Sequence, residues 1–269
     1  LSTCQRDRAL FLRSIGSTLF EFKCLDESRE MFFKSIEFST EKTDEIEKNV
    51  ACCKAGIGFV HQSKGELEQA IALFEDSLRI FRRFRGTENT HVVNLLNVYG
   101  SVLARLKRHD EALEKFELSL QMRKRIKGET KMNIALNTVS IANICFEKND
   151  FARALPLYQD CIAPLVDAKQ SSMLGDLLHY VACCLAELGR FEEATANYTQ
   201  CLEILKTTYG SESIKVATCH ELIGLTLQKQ GKWREALESF DFCLKILPKE
   251  HERRLKVEKC TKLCNENLV

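Results

Sequence analysis

The feature that most constrains this chain is self-similarity: an alanine returns as Ala70, Ala112, Ala154, Ala194 and Ala236, at intervals of 42, 42, 40 and 42 residues. Four residues after each stands an aromatic (Phe74, Phe116, Tyr158, Tyr198, Phe240), and eight after it an aliphatic (Leu78, Leu120, Ile162, Leu202, Leu244). Positions i, i+4 and i+8 share one face of an α-helix, so each unit holds a helix, B, whose buried stripe these places define. Twelve residues before each alanine a small residue recurs as Gly58, Gly100, Ala142, Ala182 and Gly224, followed three on by His61, Leu103, Cys145, Leu185 and Leu227. These mark a preceding helix, A, with a small residue where a neighbouring helix approaches closely. The turns Lys64-Gly65-Glu66, Leu188-Gly189-Arg190 and Gln230-Gly231-Lys232 separate A from B, and glycine suits the left-handed end of a helix.

Helix pairs that cannot bury their apolar faces alone do so by stacking, so the pattern predicts an all-α solenoid. Stepping back one period from Ala70 reaches Ser28, with Gly16, Phe32 and Ile36 at the matching offsets, so residues 1–44 read as a degenerate first repeat. Residues 45–248 then hold five full repeats. Residues 249–269 are charged and lightly apolar (Leu255, Val257, Cys260, Leu263, Cys264), as suits a capping helix. Twelve residues after the marker alanines stand Arg82, Lys124, Val166, Lys206 and Pro248, so in all repeats but the last helix B is free to run on by a turn. In the fourth repeat Pro156 and Pro164 predict a kink or early end of helix B near Pro164.

The recurring small residue, aromatic and alanine resemble the tetratricopeptide repeat over essentially the whole chain. The 42-residue period and the loops Arg85-Gly86-Thr87-Glu88-Asn89, Lys127-Gly128-Glu129-Thr130 and Tyr209-Gly210-Ser211-Glu212 resemble the kinesin light chain type of that repeat. The resemblance implies a right-handed superhelix of antiparallel helix pairs whose A helices line a concave groove, with no cofactor and no enzymatic activity.

Nothing in the composition opposes this. Leu1 stands where an initiator Met would, which reads as a piece of a longer polypeptide, and no apolar run reaches the roughly 18 residues a spanning helix needs. The net charge of +1 supplies no global field towards membrane or nucleic acid. The 13 cysteines form no disulfide framework and suit reduced thiols, hence a cytoplasmic location. Cys161, Cys201 and Cys243 share a place seven after the marker with Ser35, Ser77 and Ser119, a small-residue position of helix B. His179, Cys183, Cys184, Cys219 and His220 lack paired zinc-ligand spacing, so no metal site is expected. No phosphate loop, nucleophile elbow or kinase signature occurs, so no catalytic residue is assigned.

What remains is surface. On helix A the places 18, 15, 11 and 7 before the marker form one stripe, read as Asn94, Asn97, Ser101 and Arg105 in the third repeat. The fourth repeat gives Leu136, Val139, Asn143 and Glu147, the fifth Asp176, His179, Cys183 and Glu187. Asparagine both donates to and accepts from a peptide backbone. Asn94, Asn97, Ser101, Arg105, Asn143 and His179 are therefore the expected peptide-binding residues. In the kinesin light chain family such a groove holds short extended segments; by that resemblance Asn97 occupies a recurrent asparagine place, and Arg105 meets an acidic ligand group. From Arg79 to Lys131 there are 13 basic and 6 acidic residues, which favours an acidic partner where that charge faces the groove. The expected function is a protein-interaction scaffold or adaptor that takes an extended or helical partner segment. Alternatives are a structural subunit of a large cytoplasmic or cytoskeletal assembly, or an RNA-binding or polyanion-binding repeat that uses the basic centre.

Overall fold

The structure, a computed structural model, describes residues 2–84 and 90–268, so the loop Arg85-Gly86-Thr87-Glu88-Asn89 lies outside the described residues. Among the described residues every regular element is a helix. They form two compact units, 1–129 and 130–269. In the first, α1 (Ser2–Glu21) pairs with α2 (Leu25–Glu37), α3 (Asp44–Lys64) with α4 (Leu67–Phe81), and α5 (Thr90–Arg105) with α6 (His109–Arg123). In the second, α7 (Lys131–Glu147) pairs with α8 (Phe151–Asp160) and α9 (Ile162–Asp167), α10 (Ser171–Glu187) with α11 (Phe191–Tyr209), and α12 (Ile214–Lys229) with α13 (Trp233–Ile246). A last helix, α14 (Arg254–Glu266), lies on α13. Each unit is thus a stack of helix hairpins, the all-α class that the repeat predicts.

The contact within each hairpin explains the small residue of helix A. A Cβ added to Gly58 would lie 2.5 Å from the Phe74 ring, at Gly100 2.8 Å from Phe116, and at Gly224 2.6 Å from Phe240. The aromatic of helix B lies directly on helix A of its own repeat. Gly16 stands in the same relation to Phe32, whose ring tip meets Gly56 of α3. Where helix A carries Ala142 or Ala182 instead, the aromatic is a buried tyrosine, and each hydroxyl is anchored on helix A: Tyr158 donates to Asn143 Oδ1 (2.7 Å), and Tyr198 meets Cys183 Sγ (3.1 Å).

A second recurring contact is polar. The small residue seven after the marker bonds a carbonyl of helix A 26 residues earlier: Ser35 to Ala9 (2.7 Å), Ser77 to Ala51 (2.7 Å), Ser119 to Val93 (3.0 Å), Cys161 to Ala135 (3.4 Å) and Cys201 to Gly175 (3.2 Å). The cysteines at this place are buried thiols, as packing requires, and they also act as donors. Burial pushes the Cys53, Cys161 and Cys243 thiols up to about 11, which keeps them protonated at neutral pH. At the marker place of the first repeat, Ser28 is buried because its hydroxyl finds the Gly16 carbonyl at 2.7 Å.

The turn from A to B is more uniform than its sequence. Five residues before each marker the backbone is left-handed, not only at Gly65, Gly189 and Gly231 but also at Lys23 (φ 62°), Lys107 (φ 61°) and Asn149 (φ 60°). The next residue then donates back across the helix end, as Glu66 does to His61 and Arg108 to Leu103, both at 2.9 Å. Helix B departs from the expected extension. It ends at Phe81 and Arg123, and the chain continues through tightened turns, Phe84 N–H to Phe81 and Ile126 N–H to Arg123. α11 runs past the corresponding place, Lys206, as far as Tyr209, and α9 passes Val166 by one residue to end at Asp167. In the fourth repeat helix B breaks at Cys161, because Pro164 has no N–H to continue the ladder. A left-handed Lys169 then turns the chain into α10 within Ala168-Lys169-Gln170, and this short connection accounts for the repeat of 40.

Two outcomes follow. Lys107→Gly relieves a left-handed Cβ and raises the unfolding free energy by about 1 kcal/mol in urea titrations; a lowered midpoint contradicts the turn assignment. Ser77→Ala loses about 1 kcal/mol, while Ser77→Cys, which keeps a small donor, loses less than half of that. Equal losses show that the hydroxyl bond carries no weight.

Candidate functional site

The first unit brings together side chains from α1, α3 and α5. Phe20 and Phe59, both half-buried, have ring centroids 6.3 Å apart. With Gln62, Ser63, Lys64, Val98 and Arg105 they line a cleft of about 770 Å³. Arg105 is exposed at the last turn of α5 and has no carboxylate partner among the described residues, whereas Lys64 is held by Asp26 at 2.5 Å. Asn97, Ser101 and Arg105 follow at helical spacing along α5. The Asn97 side-chain oxygen is buried without a hydrogen-bond partner among the described residues, and Ser101 Oγ returns to the Asn97 carbonyl (3.0 Å). An unmet acceptor of this kind costs about 1–3 kcal/mol.

Asn94 takes a different place. Its Oδ1 accepts from Arg123 Nη2 at 2.7 Å, and Arg123, buried at the end of α6, pairs with Glu129 at 3.2 Å. Asn94 therefore positions an interior cation.

In the second unit Asn143 Oδ1 is held by Tyr158, as described above. His179 lies edge-on to Tyr180 (5.5 Å) and Tyr198 (6.1 Å), with Nε2 3.7 Å from Cys183 Sγ. It borders a cleft of about 390 Å³ with Asp176, Tyr180, Ile214, Lys215 and Thr218. At the end of this unit Glu221, fifteen before Ala236 and so on the same stripe, is 2% exposed and receives Arg253 at 3.2 Å and Lys256 at 3.1 Å, so this position is taken by residues of and beside α14. Among the described residues no group of three or more His, Cys, Asp or Glu side chains is arranged to hold a metal ion, and no helix is long and apolar enough to cross a membrane.

The stripe rule extended to the second repeat reaches Phe59, eleven before Ala70. Phe20 carries no such signal, because it joins the cleft only through its contact with Phe59. Much of the central basic charge is locally paired: Arg79 with Asp76, Arg83 with Glu47 at 3.6 Å, Arg108 with Glu111 at 2.6 Å and Arg123 with Glu129.

Burial disfavours the imidazolium of His179, with Asp176 partly opposing and Arg253 adding, and that of His220, with Lys206 adding. Both folded-state pKa values lie below the unfolded value of about 6.5, so their stabilising effect is present above that pH and is lost as pH falls through the folded values. Between about pH 7 and pH 5.5 the unfolding free energy falls, and His179→Gln/His220→Gln reduces that fall by about 1 kcal/mol in paired urea titrations. An unchanged fall rules these rings out as its source.

The model of the tetratricopeptide repeat matches residues 91–163 and 174–249. The chain is similar to Protein KINESIN LIGHT CHAIN-RELATED 3 of Arabidopsis thaliana, 23% identical over 190 residues, which cover 71% of this chain and 29% of that protein. It spans less than a third of the length of the curated relatives that it matches over most of its own length. Among solved structures, BtubC (BKLC) from P. vanneervenii superposes with a TM-score of 0.65 at 16% identity, covering 82% of this chain and 90% of that one. YrrB, described as a TPR protein with an unusual peptide-binding site, gives a TM-score of 0.61 at 20% identity, with 85% and 97% covered.

Proposed function

Because the chain belongs to the tetratricopeptide repeat family, its chemistry is that of a preformed helical surface, and we propose that it is a non-enzymatic scaffold that binds an extended segment of a partner protein. The observation that carries this reading is the cleft of α1, α3 and α5, where Arg105, without a carboxylate partner among the described residues, stands at the rim of an aromatic floor made by Phe20 and Phe59. Apolar surface for an anchor side chain and a cation for a carboxylate are parts that peptide recognition needs. A rigid surface binds without reordering itself, which favours affinity at modest contact area. The likeness to kinesin light chain-related proteins supports a partner that is a protein, and the peptide site named for YrrB supports a groove. Local pairing of the central cations, together with aromatics buried against helix A, weighs against a nucleic-acid track.

Capture from lysate by the wild-type chain and by Asn97→Ala/Arg105→Ala, read by mass spectrometry after both are shown equally folded, tests the reading. Asn94 is left intact because its loss removes one of the two partners of buried Arg123. The expected result is a set of proteins depleted about tenfold from the variant, as loss of a charged contact implies. The same partners recovered from both place function elsewhere on the chain.

A further inference from the structure

The places at which helix A meets the preceding hairpin recur as strictly as its small residue. Seventeen and thirteen residues before the marker stand Cys53 and Ile57 in α3, Leu95 and Tyr99 in α5, Leu177 and Val181 in α10, and Cys219 and Ile223 in α12; all eight side chains are buried. In α3 the pair packs on Phe32 of α2, with Ile36 alongside, and the tip of the Phe32 ring fills the notch left by Gly56, fourteen before the marker. The same three places of the first repeat are Phe11, Ile15 and Ser14 on α1. Here Phe11 is 67% exposed and Ser14 is exposed as well. A phenylalanine left in water forgoes the gain of burial that the other repeats obtain at this place.

By helical spacing Phe11 shares one stripe of α1 with Cys4, Ser14, Ile15 and, in the turn after the helix, Phe22. Cys4 is exposed, and Phe22 is 75% exposed. Ser14 Oγ turns back to the Leu10 carbonyl (3.2 Å), so the notch is small and its hydroxyl already satisfied. A stripe with a ring at 11 and a notch at 14 complements its own copy run antiparallel. A two-fold axis between Leu12 and Arg13 sets each Phe11 on the other copy's Ser14, beside the cleft of about 390 Å³ that both residues line, and brings each Phe22 to the other's Cys4. The charges within the stripe, Asp7 and Arg8, are of opposite sign, so it does not repel itself. At the C-terminal end α14 already lies on α13, the last helix B, so that helix is not bare for the α1 of another copy. We propose that α1 is a self-association surface through which two copies of this chain join as an antiparallel pair, each Phe11 supplying to the other copy the ring that Phe32 supplies to α3. Such an isologous contact closes on itself at two copies. It uses none of the side chains assigned to the peptide cleft and stands independently of the scaffold reading.

The test is sedimentation velocity of the whole chain under reducing conditions, from about 1 to about 100 μM. The expected result is a monomer–dimer equilibrium whose mass levels off at two chains. Phe11→Glu/Phe22→Glu, and separately Ser14→Glu, are expected to weaken association about tenfold or more with unchanged circular dichroism and urea midpoint, because all three side chains are exposed. Asn97→Ala/Arg105→Ala leaves association unchanged. The register is read by oxidising Phe22→Cys with oxidised glutathione and mapping the disulfides by mass spectrometry. A link between Cys4 and the introduced thiol is expected, and it joins two copies, because positions 4 and 22 of one helix lie about 27 Å apart, beyond the reach of a disulfide. A chain that stays monomeric throughout, or a dimer indifferent to the α1 variants, overturns the proposal. Mass that keeps growing with concentration and is abolished by Leu255→Glu/Leu263→Glu overturns it in favour of head-to-tail stacking on the exposed side of α14. A monomer whose Phe11→Glu/Phe22→Glu variant loses a lysate partner overturns it in favour of a foreign helix on the same face.

Discussion

Each repeat depends on one contact, an aromatic ring of helix B lying on a residue of helix A too small to hold it off. A glycine within a helix costs about 1 kcal/mol relative to alanine, whereas loss of a buried aromatic costs about 3–5 kcal/mol, so the exchange favours the ring. The contact sets how closely the two helices approach, and the remaining packing follows. Where alanine replaces glycine, the partner is tyrosine, whose hydroxyl needs an acceptor or donor once buried. Asn143 and Cys183 meet that need from the next residue of helix A. The side chain one place beyond the small residue is thereby drawn inward in the fourth and fifth repeats; in the second the half-buried Phe59 packs on Phe74 at 5.3 Å, and in the third the same place carries the exposed Ser101.

Polar side chains serve the same architecture. The recurring bond from helix B to a carbonyl of helix A explains why serine and cysteine alternate at one buried place: each is small and each offers one donor. Three of the 13 cysteines stand at that place. At Cys161 and Cys243 burial raises the thiol pKa, which makes them poor nucleophiles, and packing accounts for their place. Glu221 shows a charged group used similarly, since two cations at the C-terminal helix neutralise it where burial of a lone carboxylate would be prohibitive.

A surface capable of recognition is what remains after these demands are met. In the first unit the outer pair Phe20 and Phe59, and Arg105 without a carboxylate partner among the described residues, leave surface that the fold does not close. Buried acceptors without donors are uncommon in folded chains because each costs free energy; among the described residues they are Asn49 on α3, Asn97 on α5 and Gln230 at the end of α12. The basic centre contributes less than its residue count suggests, because Arg79, Arg83, Arg108 and Arg123 are answered by nearby carboxylates.

The sequence by itself determined the period, the helix pairs and the identity of the core positions, because small residue, aromatic and aliphatic recur at offsets that only helical geometry explains. It also located the broken helix of the fourth repeat, since a missing N–H is a property of the residue alone. It reached three of the six left-handed turns, those written with glycine; Lys23, Lys107 and Asn149 carry no such mark and are forced there by the hairpins around them. Tertiary structure alone decided which stripe residues are engaged by the rest of the fold. Asn94 and Asn97 are identical in the chain, yet one oxygen is claimed by Arg123 from a helix ending 29 residues later and the other by nothing. Only the distance between elements remote in sequence distinguishes them, because whether a polar group is satisfied depends on what folding brings beside it.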